Sequence, residues 1–204
     1  MTVWRRTKER VTEFIRAQLD RLSLSSDTSL LAICKHFETF APNWYLCPTG
    51  HRTIGYGHTG PSSDLSPAPW TEAYALKVLS YELRGPYRNE AVQALLKCGL
   101  RFEEDFLPHQ QLAILSLVHN EGPNAIWIAK EGRPATWVRR WKNGASRTEI
   151  EEAWYRWNKG EVNGRLVVLP GLVRRRHCEM RLFWDNVVDF YPAGWQAYYE
   201  GVRG

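Results

Sequence analysis

The stretch that decides the fold runs from residue 37 to residue 60 and reads FETFAPNWYLCPTGHRTIGYGHTG. Glu38 closes an apolar pattern typical of a helix, and two short β-prone segments follow it, Trp44 to Cys47 and Arg52 to Tyr56. A turn that contains proline and glycine joins these segments. The stretch predicts a helix that ends near Glu38, followed by a small β-hairpin and not by a parallel sheet.

Helical patterns lie on both sides of this stretch. Upstream, Val11 to Leu22 predicts an amphipathic helix, and Ser26 or Asp27 can cap a second helix that leads to Glu38. Downstream, helices are predicted over Thr71 to Leu83, Asn89 to Lys97, Pro108 to Asn120, Ala135 to Lys142, Arg147 to Trp157 and Leu172 to Asp189. Loops are expected over residues 122–134 and 159–171. The fold class is therefore α+β, mostly α.

Composition and charge narrow the classes of function. The chain has 204 residues, 10 of them Trp, and 44% hydrophobic residues, which suits one main domain with its own core. We expect a helical extension at residues 1–25, the main domain at 26–190 and a tail at 191–204. The net charge of +5 favours polyanionic partners. No nucleic-acid partner is expected, because no zinc spacing, basic heptad region or aromatic ribonucleoprotein signature occurs.

The four cysteines and the N-terminal residues indicate the cellular compartment in which the protein is made. The cysteines lie far apart, at positions 34, 47, 98 and 178, which argues against a structural metal site and against a disulfide framework. Residues 1–24 are rich in charge and lack the apolar stretch of a signal peptide or membrane anchor. We therefore expect a protein made in the cytoplasm without a signal peptide or membrane anchor, and without a metal or cofactor.

The position of Glu38 indicates glycosidase chemistry. A carboxylic acid at a helix end that faces a hairpin can protonate a glycosidic oxygen, while a second group across the site deals with water or with the sugar cation. A single glutamate near a helix end is more often a solvated charge. The neighbouring residues decide between these interpretations.

The spacing of Glu38, Cys47 and Thr53, followed by Ile-Gly-Tyr-Gly-His-Thr, resembles the catalytic signature of the phage-type lysozymes of glycoside hydrolase family 24. The segment from Gln110 to Asn120 is similar to the central helix of that family, and Leu169 to Arg176 with Glu179 is similar to its C-terminal signature. The resemblance covers about residues 30–184. It implies a lysozyme-like fold of two lobes, a small β-hairpin lobe and a helical lobe, with a cleft that takes the glycan strand.

The resemblance also implies roles for individual residues. Glu38 would be the general acid, Cys47 stands where the family usually has Asp, and Thr53 would hold the attacking water. His58 and Asn120 are weaker candidates for substrate binding, each with a structural role as the alternative. Because a thiolate is a stronger nucleophile than a carboxylate, Cys47 leaves both inversion and a covalent, retaining route open.

The implied activity is cleavage of the β-1,4 bond between N-acetylmuramic acid and N-acetylglucosamine in bacterial peptidoglycan, by a monomer. Two alternatives stay open at this point. A lytic transglycosylase needs only the acidic glutamate, and a wall-binding or phage structural module could keep the fold without activity. The expected role is that of an endolysin, which stays in the host cytoplasm and reaches the wall after release.

Overall fold

The computed structural model describes residues 28–47, 50–59, 67–162 and 164–203. The chain divides into two compact units, one that ends at Arg84, called here the hairpin unit, and one that begins at Gly85, called the helical unit. The helix predicted over Val11 to Leu22 lies outside the described residues.

Within its described residues, the hairpin unit contains two helices and one small antiparallel sheet. In chain order its elements are α1 (Thr28–Phe37), β1 (Ala41–Leu46), β2 (Arg52–Gly55), β3 (His58–Thr59) and α2 (Glu72–Arg84). The sheet order is β1-β2-β3, with β2 in the centre. The predicted helix before Glu38 and the predicted hairpin after it are confirmed, and β3 adds a third short strand.

The core of the hairpin unit forms where the apolar sides of the two helices and the central strand are buried. The buried side chains include Leu30, Ile33 and Cys34 of α1, Val78, Leu79 and Leu83 of α2, and Ile54 of β2. Gly55 ends β2 with a φ of +68°, and a Cβ there would lie 3.1 Å from the Trp70 ring. Only glycine meets both conditions without strain.

The helical unit contains six helices and two short hairpins. The helices are α3 (Pro86–Lys97), α4 (Pro108–Glu121), α5 (Thr136–Lys142), α6 (Arg147–Tyr155), α7 (Pro170–Asp185) and α8 (Trp195–Val202). One hairpin pairs β4 (Trp127–Ile128) with β5 (Arg133–Pro134), and the other pairs β6 (Lys159–Val162) with β7 (Arg165–Val168). Short 3-10 turns occupy Pro123–Ala125 and Ala129–Glu131.

Three details of the helical unit differ from the sequence prediction. The segments 122–134 and 159–171 were predicted as loops, and each contains a hairpin instead. The last predicted helix was expected to reach Asp189, but α7 ends at Asp185, because Asn186 takes the left-handed conformation with a φ of +54°. The segment expected to be a tail forms α8.

A buried carboxylate joins three helices of the helical unit. Glu179 of α7 is 0% exposed, and its Oε1 accepts hydrogen bonds from the Ser116 hydroxyl at 2.7 Å and from Arg176 at 2.8 Å. Its Oε2 accepts one from the Trp154 indole at 2.9 Å, and the Arg175 Nε lies 3.3 Å from Oε1. Arg175 and Arg176 of α7 thus help to fix this helix to the rest of the helical unit.

His177 gives the helical unit a specific pH dependence. Its ring stacks on Tyr155 with 3.9 Å between centroids, and burial lowers the pKa of His177 from 6.5 to about 4. In the unfolded chain the pKa returns to its ordinary value, so the unfolded state binds more protons between pH 6.5 and 4. Protonation of His177 therefore does not reduce the free energy of unfolding above pH 6.5. It reduces that free energy progressively as the pH falls from 6.5 to 4.

We expect His177→Phe, which keeps a ring for the stack and removes the titration, to flatten this dependence. The loss of unfolding free energy between pH 6.5 and 4 should be smaller in the variant by up to about 3 kcal/mol. Urea unfolding of both proteins at several pH values measures the difference, and the other titratable groups are common to both. An identical loss in the two proteins would contradict the assignment.

Candidate active site

Glu38 is held by the end of α1. Its backbone N–H donates to the Cys34 carbonyl at 2.9 Å, which continues the helical hydrogen-bond pattern one residue beyond Phe37. Cys34 is fully buried in the core of the hairpin unit, whereas Glu38 is half-buried. The carboxyl group is thus carried by the last turn of an anchored helix, as the sequence predicts.

Cys47 follows β1 at the start of the turn. Its N–H donates to the His51 carbonyl at 2.9 Å, and its own carbonyl accepts from the Gly50 N–H at 2.8 Å. The side chain is half-buried. Both backbone polar groups of Cys47 are therefore engaged in the turn, and its position is set mainly by the backbone.

Thr53 lies in β2, where it is 3% exposed. Its hydroxyl donates to the His51 carbonyl at 3.1 Å, and its Cα is paired with that of Tyr45 on β1. A hydroxyl that donates one hydrogen bond still has lone pairs that can accept another. Thr53 can therefore accept a hydrogen from a water molecule without giving up its contact with the strand.

Tyr45 lies close to both predicted acidic groups. The partial desolvation of its hydroxyl and then the negative charges of Glu38 and Cys47, when these are ionised, raise the pKa of Tyr45. The side chain is nevertheless 45% exposed, so the site is open to solvent on this side. The structure thus brings Glu38 and Cys47 within electrostatic range of one phenol.

The sequence analysis did not identify Tyr45 as a site residue. One sequence signal could have found it: Tyr45 precedes Cys47 by two positions, the spacing that puts side chains on one face of a strand. In the structure Tyr45 also pairs with Thr53 across the hairpin. The pairing depends on the register of the hairpin, which the sequence does not show directly.

A polar chain joins the hairpin to both helices of this unit. The Tyr56 hydroxyl donates to Glu72 at 2.7 Å, and Lys35 of α1 lies 2.6 Å from the same carboxylate. Lys35 and the Tyr56 hydrogen bond lower the pKa of Glu72, while burial and the contact with Glu72 raise that of Tyr56 to about 12. These contacts link α1, which carries Glu38, through α2 to Tyr56, which directly follows the strand that carries Thr53.

His58, a weaker candidate for substrate binding, has a structural contact. Its Nδ1 lies 2.7 Å from Oε1 of Glu82 on α2, and its ring packs 5.5 Å from that of Trp70. The imidazole therefore braces β3 against α2, the alternative role considered for it. A role in substrate binding stays a prediction.

Asn120, the other weaker candidate, lies at the end of α4 in the helical unit. Its Oδ1 accepts a hydrogen bond from the buried guanidinium of Arg176 at 2.8 Å. The residue is half-buried and belongs to the network around Glu179. Its amide has a structural partner, and its contact with substrate stays a prediction.

The described part of the chain shows neither a metal cluster nor a membrane-spanning helix. No group of three or more His, Cys, Asp or Glu side chains there is arranged to hold a metal ion. Cys34, Cys98 and Cys178 are buried, whereas Cys47 is half-buried. None of the described helices has the length and apolar character that crossing a bilayer requires.

The helical protein with a carboxyl group at a helix end, facing a small antiparallel sheet, belongs to the class of lysozyme-like glycoside hydrolases. The family model described as Phage lysozyme matches residues 35–179 of the chain. The chain therefore belongs to the phage lysozyme family, and the predicted fold class is confirmed.

Individual relatives agree with this assignment. An endolysin of Acyrthosiphon pisum secondary endosymbiont phage 1 is 28% identical over 155 residues, which are 75% of this chain and 93% of that protein. The muramidase domain of SpmX from Asticaccaulis excentricus is 27% identical with a TM-score of 0.59, over 80% of this chain and 99% of that one. The endolysin of Escherichia coli O157:H7 phage FAHEc1 shares the fold, with a TM-score of 0.61, 23% identity and coverage of 83% and 98%.

Proposed function

We propose that this chain is a muramidase that hydrolyses the β-1,4 bond between N-acetylmuramic acid and N-acetylglucosamine in peptidoglycan. Its general class, a peptidoglycan-cleaving glycoside hydrolase, follows from membership of the phage lysozyme family. The observation that supports the catalytic assignment is the pairing of Tyr45 with Thr53 in the hairpin register, together with the electrostatic influence of both Glu38 and Cys47 on the Tyr45 phenol.

In the proposed mechanism Glu38 is the general acid. It donates its proton to the bridging oxygen as the glycosidic bond breaks and positive charge develops on the sugar. The anchored helix end holds the carboxyl group in place while the charge changes, which keeps the reorganisation small.

Cys47 and Thr53 act in the nucleophilic attack on the sugar carbon. In one route Thr53 accepts a hydrogen bond from the attacking water, and Cys47, as a thiolate, takes the proton that the water loses as it bonds to the sugar carbon. In the other, the Cys47 thiolate attacks the sugar carbon itself and forms a glycosyl–sulfur bond. Water, deprotonated by the ionised Glu38, then breaks that bond and releases the thiolate. The first route inverts the anomeric centre and the second retains it. NMR observation of the anomer that forms first distinguishes the two routes.

The protein's place of action is proposed on the same basis. The net charge of +5 suits a wall polymer that carries carboxylates and phosphates. We infer that the chain works as an endolysin on the bacterial wall, as a monomer, after synthesis in the cytoplasm of an infected cell.

Glu38→Gln keeps the shape of the side chain and removes the transferable proton. Hydrolysis of purified cell walls should fall at least about a hundredfold, with an unchanged melting temperature. Mass spectrometry of the released muropeptides tests the reaction type, because a transglycosylase would leave anhydro ends that are one water lighter. Near-normal clearing by the variant would reject Glu38 as the acid.

The role of Thr53 is tested with a matched pair of substitutions. Thr53→Val removes the hydroxyl and keeps a branched side chain, whereas Thr53→Ser keeps the hydroxyl. We expect kcat to fall roughly tenfold in Thr53→Val, less than on loss of Glu38, and to be largely retained in Thr53→Ser. Equal kcat values for the two variants would make Thr53 a strand residue with no part in the reaction.

Cys47 can be tested chemically because the other thiols are buried. Burial raises the pKa of Cys98, and burial followed by the nearby Glu179 charge raises that of Cys178 to about 12, while Cys34 is 0% exposed. Iodoacetamide should therefore label Cys47 first, abolish activity, and label more slowly when glycan fragments are bound.

The matched control is Cys47→Asp, which restores the residue usual in the family. It should retain activity and resist iodoacetamide, whereas Cys47→Ala should lose at least about tenfold in kcat. Full activity after stoichiometric alkylation of Cys47, checked by peptide mass, would show that the thiol takes no part.

A further inference from the structure

The helical unit carries a cavity of about 540 Å³ that no part of the proposed mechanism uses. It lies where the end of α6, the base of the β6–β7 hairpin and one side of α8 meet. Its lining includes Arg156, Asn158, Lys159, Val168, Tyr198 and Val202. Tyr198 and Val202 come from α8, beyond the residues that match the family model.

The walls of this cavity are well supported. Asn158 is 3% exposed and its carbonyl accepts the Leu169 N–H at 2.9 Å, while Lys159 and Val168 face each other in the hairpin. The Tyr198 hydroxyl is hydrogen-bonded to the Asn158 side chain. Its ring also packs 5.4 Å from that of the buried His177. The polar groups of the cavity are therefore preorganised before any ligand arrives.

The charges at the cavity favour an anion. Arg156 and Lys159 are exposed, and neither makes an ion pair with any residue that the structure describes. The one carboxylate of the lining, Glu152, lies 3.6 Å from Arg140 and is partly neutralised by it. Two cations thus remain for a ligand, and guanidinium and ammonium groups bind carboxylates through charge-assisted hydrogen bonds.

The other lining groups define the rest of the ligand. Val168 and Val202 offer apolar surface suited to a small alkyl group, and Asn158 with Tyr198 can hydrogen-bond an amide. Glu152 can receive an ammonium group. A short peptide with a free terminal carboxylate, methyl side chains and an amine has these features together, whereas an uncharged sugar lacks the carboxylate.

We propose that this cavity of the helical unit binds the free carboxyl end of a peptidoglycan stem peptide and so gives the protein a second contact with the wall. The proposal rests on the proposed function for the identity of the polymer. The carboxylate pairs with Arg156 and Lys159, and the terminal methyl group packs on Val168 and Val202.

The test uses calorimetric titration of the full chain with the tetrapeptide L-Ala-γ-D-Glu-meso-diaminopimelate-D-Ala. The same peptide amidated at its terminal carboxyl group should bind about tenfold more weakly or worse. The double variant Arg156→Gln, Lys159→Gln should weaken binding of the free peptide by a similar factor. Lys97→Gln removes an exposed lysine of α3 elsewhere in the unit and should leave the dissociation constant unchanged.

Tyr198→Phe provides a second variant, which removes one hydroxyl and keeps the ring that packs on His177. It should weaken peptide binding several-fold with an unchanged melting temperature. Equal binding of the free and amidated peptides, equal competition by inorganic phosphate, or full binding by the double variant would overturn the proposal. Because the titration needs no turnover, loss of the proposed muramidase activity would appear separately, in wall-clearing assays.

Discussion

The helical unit depends on one buried ion cluster centred on Glu179. An uncompensated charge in a protein interior costs several kcal/mol, so the carboxylate is tolerable only with donors at both oxygens. Ser116, Trp154, Arg175 and Arg176 supply them from three helices. None of these helices can move against the others without leaving a buried charge unpaired, so the cluster specifies their arrangement as well as stabilising it.

The same cluster extends to the end of α4. Arg176 reaches Asn120 at 2.8 Å and Glu121 at 3.5 Å. Burial is the main cause that raises the pKa of Glu121, and Arg176 opposes it. The end of α4 is thus fixed by a fully buried guanidinium, which explains why the half-buried Asn120 amide has a protein partner.

The hairpin unit relies on smaller contacts to hold its reactive groups. Tyr56, Glu72 and Lys35 connect β2, α2 and α1, and His58 with Glu82 connects β3 to α2. The Lys35–Glu72 pair is exposed and is worth little by itself, whereas His58 and Glu82 are both half-buried. The strands and helices of this unit are therefore held together by several modest contacts.

The sequence predicted those helices whose apolar repeat has a clear start or end. The repeat of α1 stops at Phe37, just before Glu38, and the repeat of α4 begins at Pro108, a residue that favours the first turn of a helix. The β6–β7 hairpin was predicted as a loop because its strands are mostly exposed and show no alternating burial. The Asn163-Gly164 pair was a turn signal that could have revealed it.

The resemblance of the motif named Glu38, Cys47 and Thr53 as candidates, and their roles stay predictions. The contacts of such residues could not be predicted in the same way. The Glu82 contact of His58 joins positions 24 residues apart and depends on how β3 packs on α2. Tyr45 was missed for the same reason: its relevance arises from strand register, which a motif does not encode.

The loop geometry gives a physical reason why a cysteine can stand where the family usually has an aspartate. A side chain that sets its own position by packing tolerates few replacements. Cys47 is placed instead by two backbone hydrogen bonds, to His51 and from Gly50, and its side chain is half-buried rather than enclosed. A change of side chain there alters the charge and nucleophilicity presented to the site while the backbone stays in place. The chemistry at this position can therefore vary without a change of fold.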